Sequence, residues 1–294
     1  MQLDLQGVKL AVWGGDARTI VLVEQLANWG ASVEAVGLPV KNPKVAVLSE
    51  LKETSRDIQA LILPIPGVDE QKKIYAVYHE QPLILSVVEL ASFPTGLLVF
   101  VGVAQPYLKE IAVHAGLELI EIMNLDETAI LNSIPSAEGA IQMVMERLPI
   151  TIHDSRALVL GFGRTGITLV RMLAAIGAHV TVIARDPAQR ARAYEMGVLS
   201  ADLLELSALM PQADVIFNTV PALILSRPLL EKAAPEVLII DLASAPGGTD
   251  FTAAQELGIS AALSPGLPGR VAPKTAGVIL ARVIRRILLE RLAS

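Results

Sequence analysis

The amino-acid sequence predicts an α/β protein built from two doubly wound domains. In VKLAVWGGDARTIVLVEQLANWGASVEAVG, residues 8–37, an apolar strand is followed by a glycine turn, a helix with apolar residues at helical spacing, and a second strand. The segment ALVLGFGRTGITLVRMLAAIGAHVTVIAR, residues 157–185, repeats this order of elements. Because each such unit begins a parallel sheet with helices on its faces, two of them predict two domains rather than one long one.

Other apolar runs extend the two predicted sheets. In the first half of the chain we predict short buried strands at residues 60–64, 82–90 and 97–103. In the second half we predict strands in DVIFNTV, VLIIDLA and SAALSP. Between the halves, residues 132–146, NSIPSAEGAIQMVME, are predicted to form a loop with Ser136 as the N-cap of a bridging helix.

These elements set the expected domain boundaries. The first domain is expected to cover residues 1–132, joined by the end of the last helix at about residues 280–294. The second domain is expected to cover residues 133–280 and to bind the nucleotide. Each segment is long enough to bury its own core.

Composition and charge exclude several classes of function. Hydrophobic residues make up 52% of the 294 residues and charged ones 18%, so we expect a sizeable subunit or domain interface besides the two cores. We also expect a homo-oligomer. The net charge of −6 argues against a nucleic-acid partner. The chain has no cysteine, which excludes disulfides, thiol catalysis and thiolate metal sites. It shows neither a signal peptide nor a run long enough to span a membrane, so we expect a cytoplasmic protein.

The glycine-rich segment after ALVL predicts a dinucleotide-binding, Rossmann-like domain. A first glycine permits the tight turn, a second lets the backbone approach a pyrophosphate, and a third lets the helix pack close to the strand. The helix N-terminus then faces the anion. The cofactor-binding residues expected here are Gly161, Gly163, Arg164, Thr165 and Gly166.

Arg185 favours NADP over NAD. An acidic residue at the end of the second strand holds the ribose 2′-hydroxyl of NAD, whereas an arginine there accommodates the 2′-phosphate of NADP. Arg185 stands at this position, and its guanidinium can bind a phosphate with two hydrogen bonds. Asp186 is the next residue, so a strand end shifted by one position would favour NAD instead.

The first glycine turn, GGDAR, lacks the full nucleotide fingerprint. Asp16 is a good helix N-cap. Arg18 lies in the first helical turn, where a cation is disfavoured unless it reaches an anionic ligand. We therefore expect Asp16 and Arg18 to bind substrate.

Three further loops follow predicted strands of the second domain, at the edge where such sheets bind ligands. The first contributes the expected cofactor-binding residues Asn218, Thr219, Val220 and Pro221. The second, DLASAPGGTD, begins with Asp241, and the third, SPGLPGRVAPKTAG, carries Arg270 and Lys274. Arg270 and Lys274 can anchor a substrate carboxylate, and Lys274 and Asp241 are the candidates for proton transfer.

Other chemistries have no visible setting. The four histidines, His79, His114, His153 and His179, have no spacing that suggests a metal, so no metal site is expected. Only His153 is kept as a distant catalytic candidate. A serine hydrolase would need a nucleophile elbow, which is missing.

Five segments in order, GGDAR, NSIPSAEG, LGFGRTG, DLASAPGGTD and PGLPGRVAPKTAG, resemble the dipicolinate synthase A-subunit family of spore-forming bacteria. The resemblance runs from the first strand to the last helix. It implies two domains that face each other across a cleft, an architecture similar to that of 2-hydroxyacid and alanine dehydrogenases. It also implies Asn132 and Ser133 as cleft-facing residues that hydrogen-bond substrate or cofactor.

The resemblance further implies a function. The expected reaction is oxidation of dihydrodipicolinate, or its hydrated precursor, to dipicolinate with hydride transfer to NADP during sporulation, in the cytoplasm of the mother cell. The substrate is a small dicarboxylate heterocycle, and the expected partner is the flavoprotein-like B-subunit of dipicolinate synthase. Arg18 on one wall of the cleft and Lys274 and Arg270 on the other are the expected carboxylate anchors.

Two alternatives stay open. The chain could be a generic NADP-dependent dehydrogenase of 2-hydroxy acids, although the histidine and acidic partner of that class are not recognisable near the end of the chain. It could also be an NADP-binding scaffold or regulatory component of a two-component synthase. A catalyst turns over the cofactor by itself, whereas a scaffold binds it without turnover.

Overall fold

The computed structural model describes residues 5–292 and contains two parallel sheets with helices on both faces. The elements of the first half are β1 (Lys9–Trp13), α1 (Ala17–Asn28), β2 (Ser32–Val36), β3 (Val45–Leu48), β4 (Ala60–Ile62), β5 (Lys73–Ile74), β6 (Leu83–Ile84), α2 (Val87–Ala91), β7 (Leu98–Val101), α3 (Pro106–His114), β8 (Glu118–Glu121) and α4 (Asp126–Arg147).

The second half continues with β9 (Arg156–Leu160), α5 (Arg164–Ile176), β10 (His179–Ile183), α6 (Pro187–Glu195), β11 (Leu199–Ala201), α7 (Leu206–Leu209), β12 (Val215–Asn218), α8 (Arg227–Leu230), β13 (Leu238–Asp241), α9 (Phe251–Glu256), β14 (Ser260–Leu263), α10 (Leu267–Val271) and α11 (Pro273–Leu292).

The two sheets have the same topology. The first has the strand order β3-β2-β1-β4-β7-β8 and the second the order β11-β10-β9-β12-β13-β14, and every pair within them is parallel. In both, the chain starts in the middle, moves to one edge and returns to build the other half, which is the dinucleotide-binding order. The prediction of two doubly wound domains is therefore confirmed.

The chain divides into two compact units. One contains the described residues up to Leu131 together with those from Ala272 onward, and the other is Asn132–Val271. The first unit thus takes in the whole of α11, whereas the expected boundary lay near residue 280. At the other junction, the division between Leu131 and Asn132 falls within α4.

Each sheet is buried on both faces, so each has one apolar cluster on either side. In β1, Leu10 and Val12 belong to one apolar cluster, while Ala11 and Trp13 belong to another, because successive side chains of a strand point to opposite faces. The second sheet divides in the same way, with Val159 on one face and Leu158 on the other. Strands covered on both faces are continuously apolar, which is the pattern that predicted them.

The predicted strand at residues 82–90 is wrong. Only Leu83–Ile84 is extended, and it pairs antiparallel with Lys73–Ile74. Helix α2 follows because Ser86 caps it: the hydroxyl accepts a hydrogen bond from the backbone N–H of Glu89, whose carboxylate accepts one from the backbone N–H of Ser86. Such a capping box starts a helix and ends the strand.

The predicted loop before the bridging helix is also wrong. Helix α4 begins at Asp126 and continues through residues 132–135, with Pro135 inside it. Ser136 is therefore not an N-cap, and its hydroxyl donates a hydrogen bond to the backbone carbonyl of Asn132, at 2.8 Å. Pro135 has no backbone N–H to donate, and this 22-residue helix tolerates the loss of that one hydrogen bond.

Helices α1 and α11 pack in parallel within the first unit. Near their N-termini, a β-carbon on Gly277 would lie 2.7 Å from the β-carbon of Val21 and would overlap the carbonyl of Arg18. Further along, the guanidinium of Arg285 lies over the Trp29 ring, 4.7 Å from its centroid. The two helices therefore begin at the same end of the unit.

None of the helices in residues 5–292 is long and apolar enough to cross a bilayer.

The close contact at Gly277 predicts a steric effect. Gly277→Val should lower the free energy of unfolding by about 3 kcal/mol, because the new side chain overpacks against α1. Thr275→Val is the matched control: it places the same side chain on an exposed position of α11 and should change stability by less than about 0.5 kcal/mol. Chemical denaturation measures both values, and equal losses would contradict the close contact.

Candidate functional site

The turn between β9 and α5 has the geometry of a phosphate cradle. Gly161 has a φ of 89°, a conformation that suits glycine. Gly163 is the N-cap of α5. A β-carbon on Gly166 would overlap the carbonyl of Gly161, so the absence of a side chain lets the helix approach the strand. The first and third glycines therefore allow the turn and the close packing that the sequence predicted for them.

Gly163 plays a different part. A β-carbon at this position would meet no other protein atom within 4 Å. The space beside it opens to solvent at the start of a 13-residue helix, where backbone N–H groups point outward and favour an anion. The cradle therefore fits the pyrophosphate of a dinucleotide. Arg164 and Thr165 form the first turn of this helix, with Arg164 exposed and Thr165 half-buried.

Thr219 closes the cradle from the neighbouring strand. Its hydroxyl donates a hydrogen bond to the carbonyl of Leu160, at 2.8 Å. A β-carbon on Gly161 would lie 2.6 Å from this hydroxyl and 2.7 Å from a methyl group of Val220. The loop after β12 thus packs directly on the glycine turn, and Pro221 at its tip is exposed.

Asn218 and Asp241 lie beneath these loops and are fully buried. The side-chain amide of Asn218 donates to a carboxylate oxygen of Asp241 at 2.9 Å and to the carbonyl of Val220 at 3.0 Å. Neither side chain is exposed to a ligand. Their contacts hold loops in place, which distinguishes them from Thr219 and Val220 at the surface of the site.

Arg185 lies just beyond the end of β10 and is exposed. Among residues 5–292, nothing forms a hydrogen bond or an ion pair with its guanidinium. Asp186, the residue that would have favoured NAD, is the N-cap of α6 and accepts a hydrogen bond from the backbone N–H of Ala188, at 2.8 Å. Arg190 is held by Asp202 at 2.7 Å and also donates to the carbonyls of Ala184 and Arg185. The guanidinium of Arg185 is therefore available to bind an anion.

Asp16 and Arg18 form a tight pair in the first unit. Asp16 caps α1, and the Arg18 side chain donates to its two carboxylate oxygens from Nε at 3.1 Å and from Nη2 at 2.6 Å. Only 13% of the Arg18 side chain is exposed. The carboxylate offsets the unfavourable position of a cation near the helix N-terminus. The pair does not involve Nη1, whose two N–H groups are available for an anion.

The other expected substrate residues divide between the units. Lys274 is exposed in the first turn of α11 and belongs to the same unit as Arg18, which differs from the expectation that the two stand on opposite walls. Arg270 is exposed in α10 of the second unit. Asn132 and Ser133 are buried in α4, and the hydroxyl of Ser133 lies 2.6 Å from that of Thr168 in α5.

Sequence reasoning missed a segment of the first unit. The backbone N–H of Gly15 donates a hydrogen bond to the carbonyl of Tyr75, at 2.7 Å. The backbone N–H of Val77 donates one to the carbonyl of Gly15, at 2.9 Å. Residues 75–77 therefore cross the glycine turn after β1. Beside them is an open cavity of about 370 Å³, lined in part by Lys73 and His79. No motif marks this segment, and its contact with Gly15 is visible only in three dimensions.

Known dehydrogenase domains resemble this chain in fold and in the sequence of the nucleotide-binding region. Residues 136–246 match the D-isomer specific 2-hydroxyacid dehydrogenase, NAD binding domain family. The D-lactate dehydrogenase of Escherichia coli shares the fold, with a TM-score of 0.62 over 97% of both chains and 16% identity. These features define the chain as an NAD(P)-dependent oxidoreductase.

The particular family follows from closer relatives. Residues 9–123 match the N-terminal domain family of the dipicolinate synthase A-subunit. The chain is 40% identical to the dipicolinate synthase A-subunit of Bacillus subtilis (strain 168) over 97% of both chains. The crystal structure of the dipicolinate synthase A-subunit from Bacillus halodurans matches with a TM-score of 0.93 and 36% identity, over 97% of this chain and 99% of that one. The chain belongs to the dipicolinate synthase A-subunit family.

Two glycine substitutions should separate binding from stability. Gly163→Ala should lower the free energy of unfolding by no more than about 1 kcal/mol, because its new methyl group meets no protein atom and only the N-cap preference for glycine over alanine is lost. It should nevertheless weaken binding of the nicotinamide dinucleotide at least about tenfold, because the methyl group occupies space that a pyrophosphate needs. Titration calorimetry and chemical denaturation measure the two effects.

Gly166→Ala is the contrasting variant. Its methyl group overlaps the backbone of Gly161, so it should lower both the affinity and, by about 2 kcal/mol, the free energy of unfolding. Unchanged binding of the dinucleotide by Gly163→Ala would contradict the assignment of the cradle.

Proposed function

We propose that the chain oxidises dihydrodipicolinate, or its hydrated precursor, to dipicolinate with NADP as the hydride acceptor, as the A-subunit of a sporulation-specific synthase. The observation that carries this proposal is the 40% identity to a dipicolinate synthase A-subunit over 97% of both chains. The glycine cradle and the 2-hydroxyacid dehydrogenase type of nucleotide-binding domain support a hydride transfer.

The proposed reaction removes a hydride and a proton from the ring of dihydrodipicolinate, and formation of an aromatic pyridine drives it; the hydrated precursor would lose a water molecule in addition. NADP, when bound, supplies the hydride acceptor. Gly161, Gly163 and Gly166 would hold its pyrophosphate. The chain must in addition orient the substrate, hold its two carboxylates and provide a path for the proton.

The preference for NADP rests on Arg185. A 2′-phosphate carries about two negative charges at neutral pH and binds well to a guanidinium that has no other partner. Asp186 has a structural role of its own, because one oxygen of its carboxylate caps α6. NAD remains the natural competitor in any test.

Arg18 and Lys274 are the proposed carboxylate anchors in the first unit. Both lie in the first turns of helices that run in parallel, so two cations and two positive helix ends lie at one end of the unit. Asp16 orients Arg18 by holding one edge of its guanidinium. Lys274 is also the proposed proton-transfer group, because it is exposed, whereas Asp241 is buried. Arg270 remains a candidate for a second carboxylate.

The relatives are named as the A component of a synthase, and these names support the existence of a second component. We propose the flavoprotein-like B-subunit of dipicolinate synthase as this component, self-association of the present chain, and a location in the cytoplasm of the mother cell.

The test of the function uses the purified chain with NADP and dihydrodipicolinate freshly made from pyruvate and aspartate semialdehyde. Reduced nicotinamide and dipicolinate should form in equal amounts, and the assay is run with and without the B-subunit. Turnover by the chain alone would show that it is a self-sufficient dehydrogenase. Turnover only in the presence of the B-subunit would show that both subunits are required for catalysis. Formation of reduced nicotinamide without dipicolinate, or no turnover with the B-subunit present, would refute the proposed substrate.

Arg185 should set the choice of cofactor. Arg185→Asp should weaken NADP binding at least about tenfold, because a charge-assisted contact is replaced by repulsion, while NAD binding changes less than about threefold. The control Arg192→Asp makes the same change in net charge within α6, where Arg192 pairs with Glu195. It should change the affinity for either cofactor by no more than about twofold. Fluorescence titration measures both affinities. Equal losses for NADP and NAD in Arg185→Asp would exclude a 2′-phosphate contact.

Lys274 should act on the substrate rather than on the cofactor. Lys274→Met should raise the KM for dihydrodipicolinate about tenfold through the loss of a hydrogen bond to a carboxylate, and it should lower kcat through the loss of the proposed proton-transfer group. The Kd for NADP should stay within about twofold of the wild-type value, since no carboxylate anchor is needed to bind it. Arg282→Met, on an exposed position of the same helix, is the control with equal charge change. An unchanged KM in Lys274→Met would remove Lys274 from the substrate site.

A further inference from the structure

Asp241 is a fully buried carboxylate that accepts four hydrogen bonds. One oxygen accepts from the side-chain amide of Asn218 at 2.9 Å and from the backbone N–H of Ala243 at 3.1 Å. The other accepts from the backbone N–H of Gly248 at 2.8 Å and from the hydroxyl of Thr249 at 2.7 Å. A general base must reach the proton that it removes, and Asp241 has no exposed surface.

We propose that Asp241 is a positioning residue that fixes the part of the site that binds the nicotinamide half of the dinucleotide. This inference rests on the proposed NADP binding. It replaces the expectation from sequence that Asp241 transfers a proton. The side chain acts through the two loops that follow β12 and β13, and it does not touch the cofactor.

The two loops are joined at the Asp241 carboxylate. Asn218, bound to Asp241, also accepts a hydrogen bond from the backbone N–H of Val220, at 3.1 Å, and donates to its carbonyl. On the other side, the carbonyl of Gly248 accepts hydrogen bonds from the N–H groups of Ile224 and Leu225, both at 2.9 Å. Loss of the carboxylate would therefore release both ends of the loop after β12.

Glycines make this junction tight. A β-carbon on Gly248 would lie 2.6 Å from the amide nitrogen of Asn218 and 2.7 Å from the carbonyl of Val220. A β-carbon on Gly247, which has a φ of 86°, would lie 2.9 Å from a carboxylate oxygen of Asp241. The backbone of the DLASAPGGTD segment thus wraps around the carboxylate. This close packing explains why Gly247 and Gly248 have no side chain.

The order of strands decides which half of the cofactor is affected. Arg185 follows β10, and the glycine cradle follows β9. In the sheet, β12 and β13 lie on the other side of β9 from β10. A dinucleotide with its 2′-phosphate at Arg185 and its pyrophosphate at the cradle therefore extends its nicotinamide half toward the loops that Asp241 fixes.

The substitution Asp241→Asn tests the role with little change in shape. All four groups that surround the carboxylate donate to it, so the amide group of asparagine faces at least one donor in either orientation. The probes are NADP and adenosine 2′,5′-bisphosphate, which carries the 2′-phosphate but no nicotinamide. We expect binding of NADP to weaken at least about tenfold and binding of the bisphosphate by less than about twofold.

Asp214→Asn is the matched control. Asp214 directly precedes β12, and its carboxylate accepts a hydrogen bond from the backbone N–H of Arg156, at 2.7 Å, at the opposite edge of the same sheet. We expect this variant to bind both probes within about twofold of the wild-type protein. A selective loss of NADP binding in Asp241→Asn, but not in Asp214→Asn, would support the positioning role.

Other outcomes overturn the proposal in distinguishable ways. Equal weakening of both probes in Asp241→Asn would mean a general structural role, and unchanged binding of both would mean no role. Failure of the wild-type protein to bind either probe would contradict the proposed function itself. If Asp241→Asn does not fold, Thr249→Val can be used instead, because it removes one of the four donors. Thr249→Val should weaken the binding of NADP about threefold and leave the binding of the bisphosphate unchanged. Equal effects on the binding of the two probes would again overturn the positioning role.

Discussion

The second unit depends on the close approach of two backbone segments, at Gly161 and Gly166. The helix that follows the glycine turn starts so near its strand that a single methyl group on Gly166 would overlap the carbonyl of Gly161. This approach directs the N-terminus of α5 outward at the carboxyl edge of the sheet, where its N–H groups favour the binding of an anion. The loop after β12 then packs on Gly161 through Thr219. The chemistry proposed for this unit therefore begins with a steric constraint on the backbone.

Buried polar groups extend that constraint to neighbouring loops. A carboxylate without solvent is unfavourable unless hydrogen bonds satisfy it, and Asp241 has four of them. Exposed charges have the opposite role: Arg185 has no partner among the described residues, and this leaves it available to a phosphate. The same sheet edge thus carries one charge that holds loops together and another that we propose selects the cofactor.

The sequence predicted the local features well and the nonlocal ones poorly. Glycine turns and buried parallel strands are set by neighbouring residues, so β9, Gly161 and α5 were found where expected. Residues 82–90 were misassigned because the capping box at Ser86 starts a helix within the apolar run. Residues 132–136 were misassigned because Ser136 was expected to cap a helix that in fact begins at Asp126. The burial of Asp241 depends on Gly248 and Asn218, which only the folded chain brings around it. For the same reason, no pattern in the sequence could show that Arg18 and Lys274 belong to one unit.

In the proposed binding mode, NADP lies across the carboxyl edge of the second sheet, from β10 through β9 to β12. A crystal structure of the chain with NADP should show the 2′-phosphate against Arg185, the pyrophosphate at Gly161–Gly166, and the nicotinamide beside the loop that begins at Thr219. A dinucleotide bound in the first unit, or one in the second unit with its 2′-phosphate away from Arg185, would contradict this binding mode.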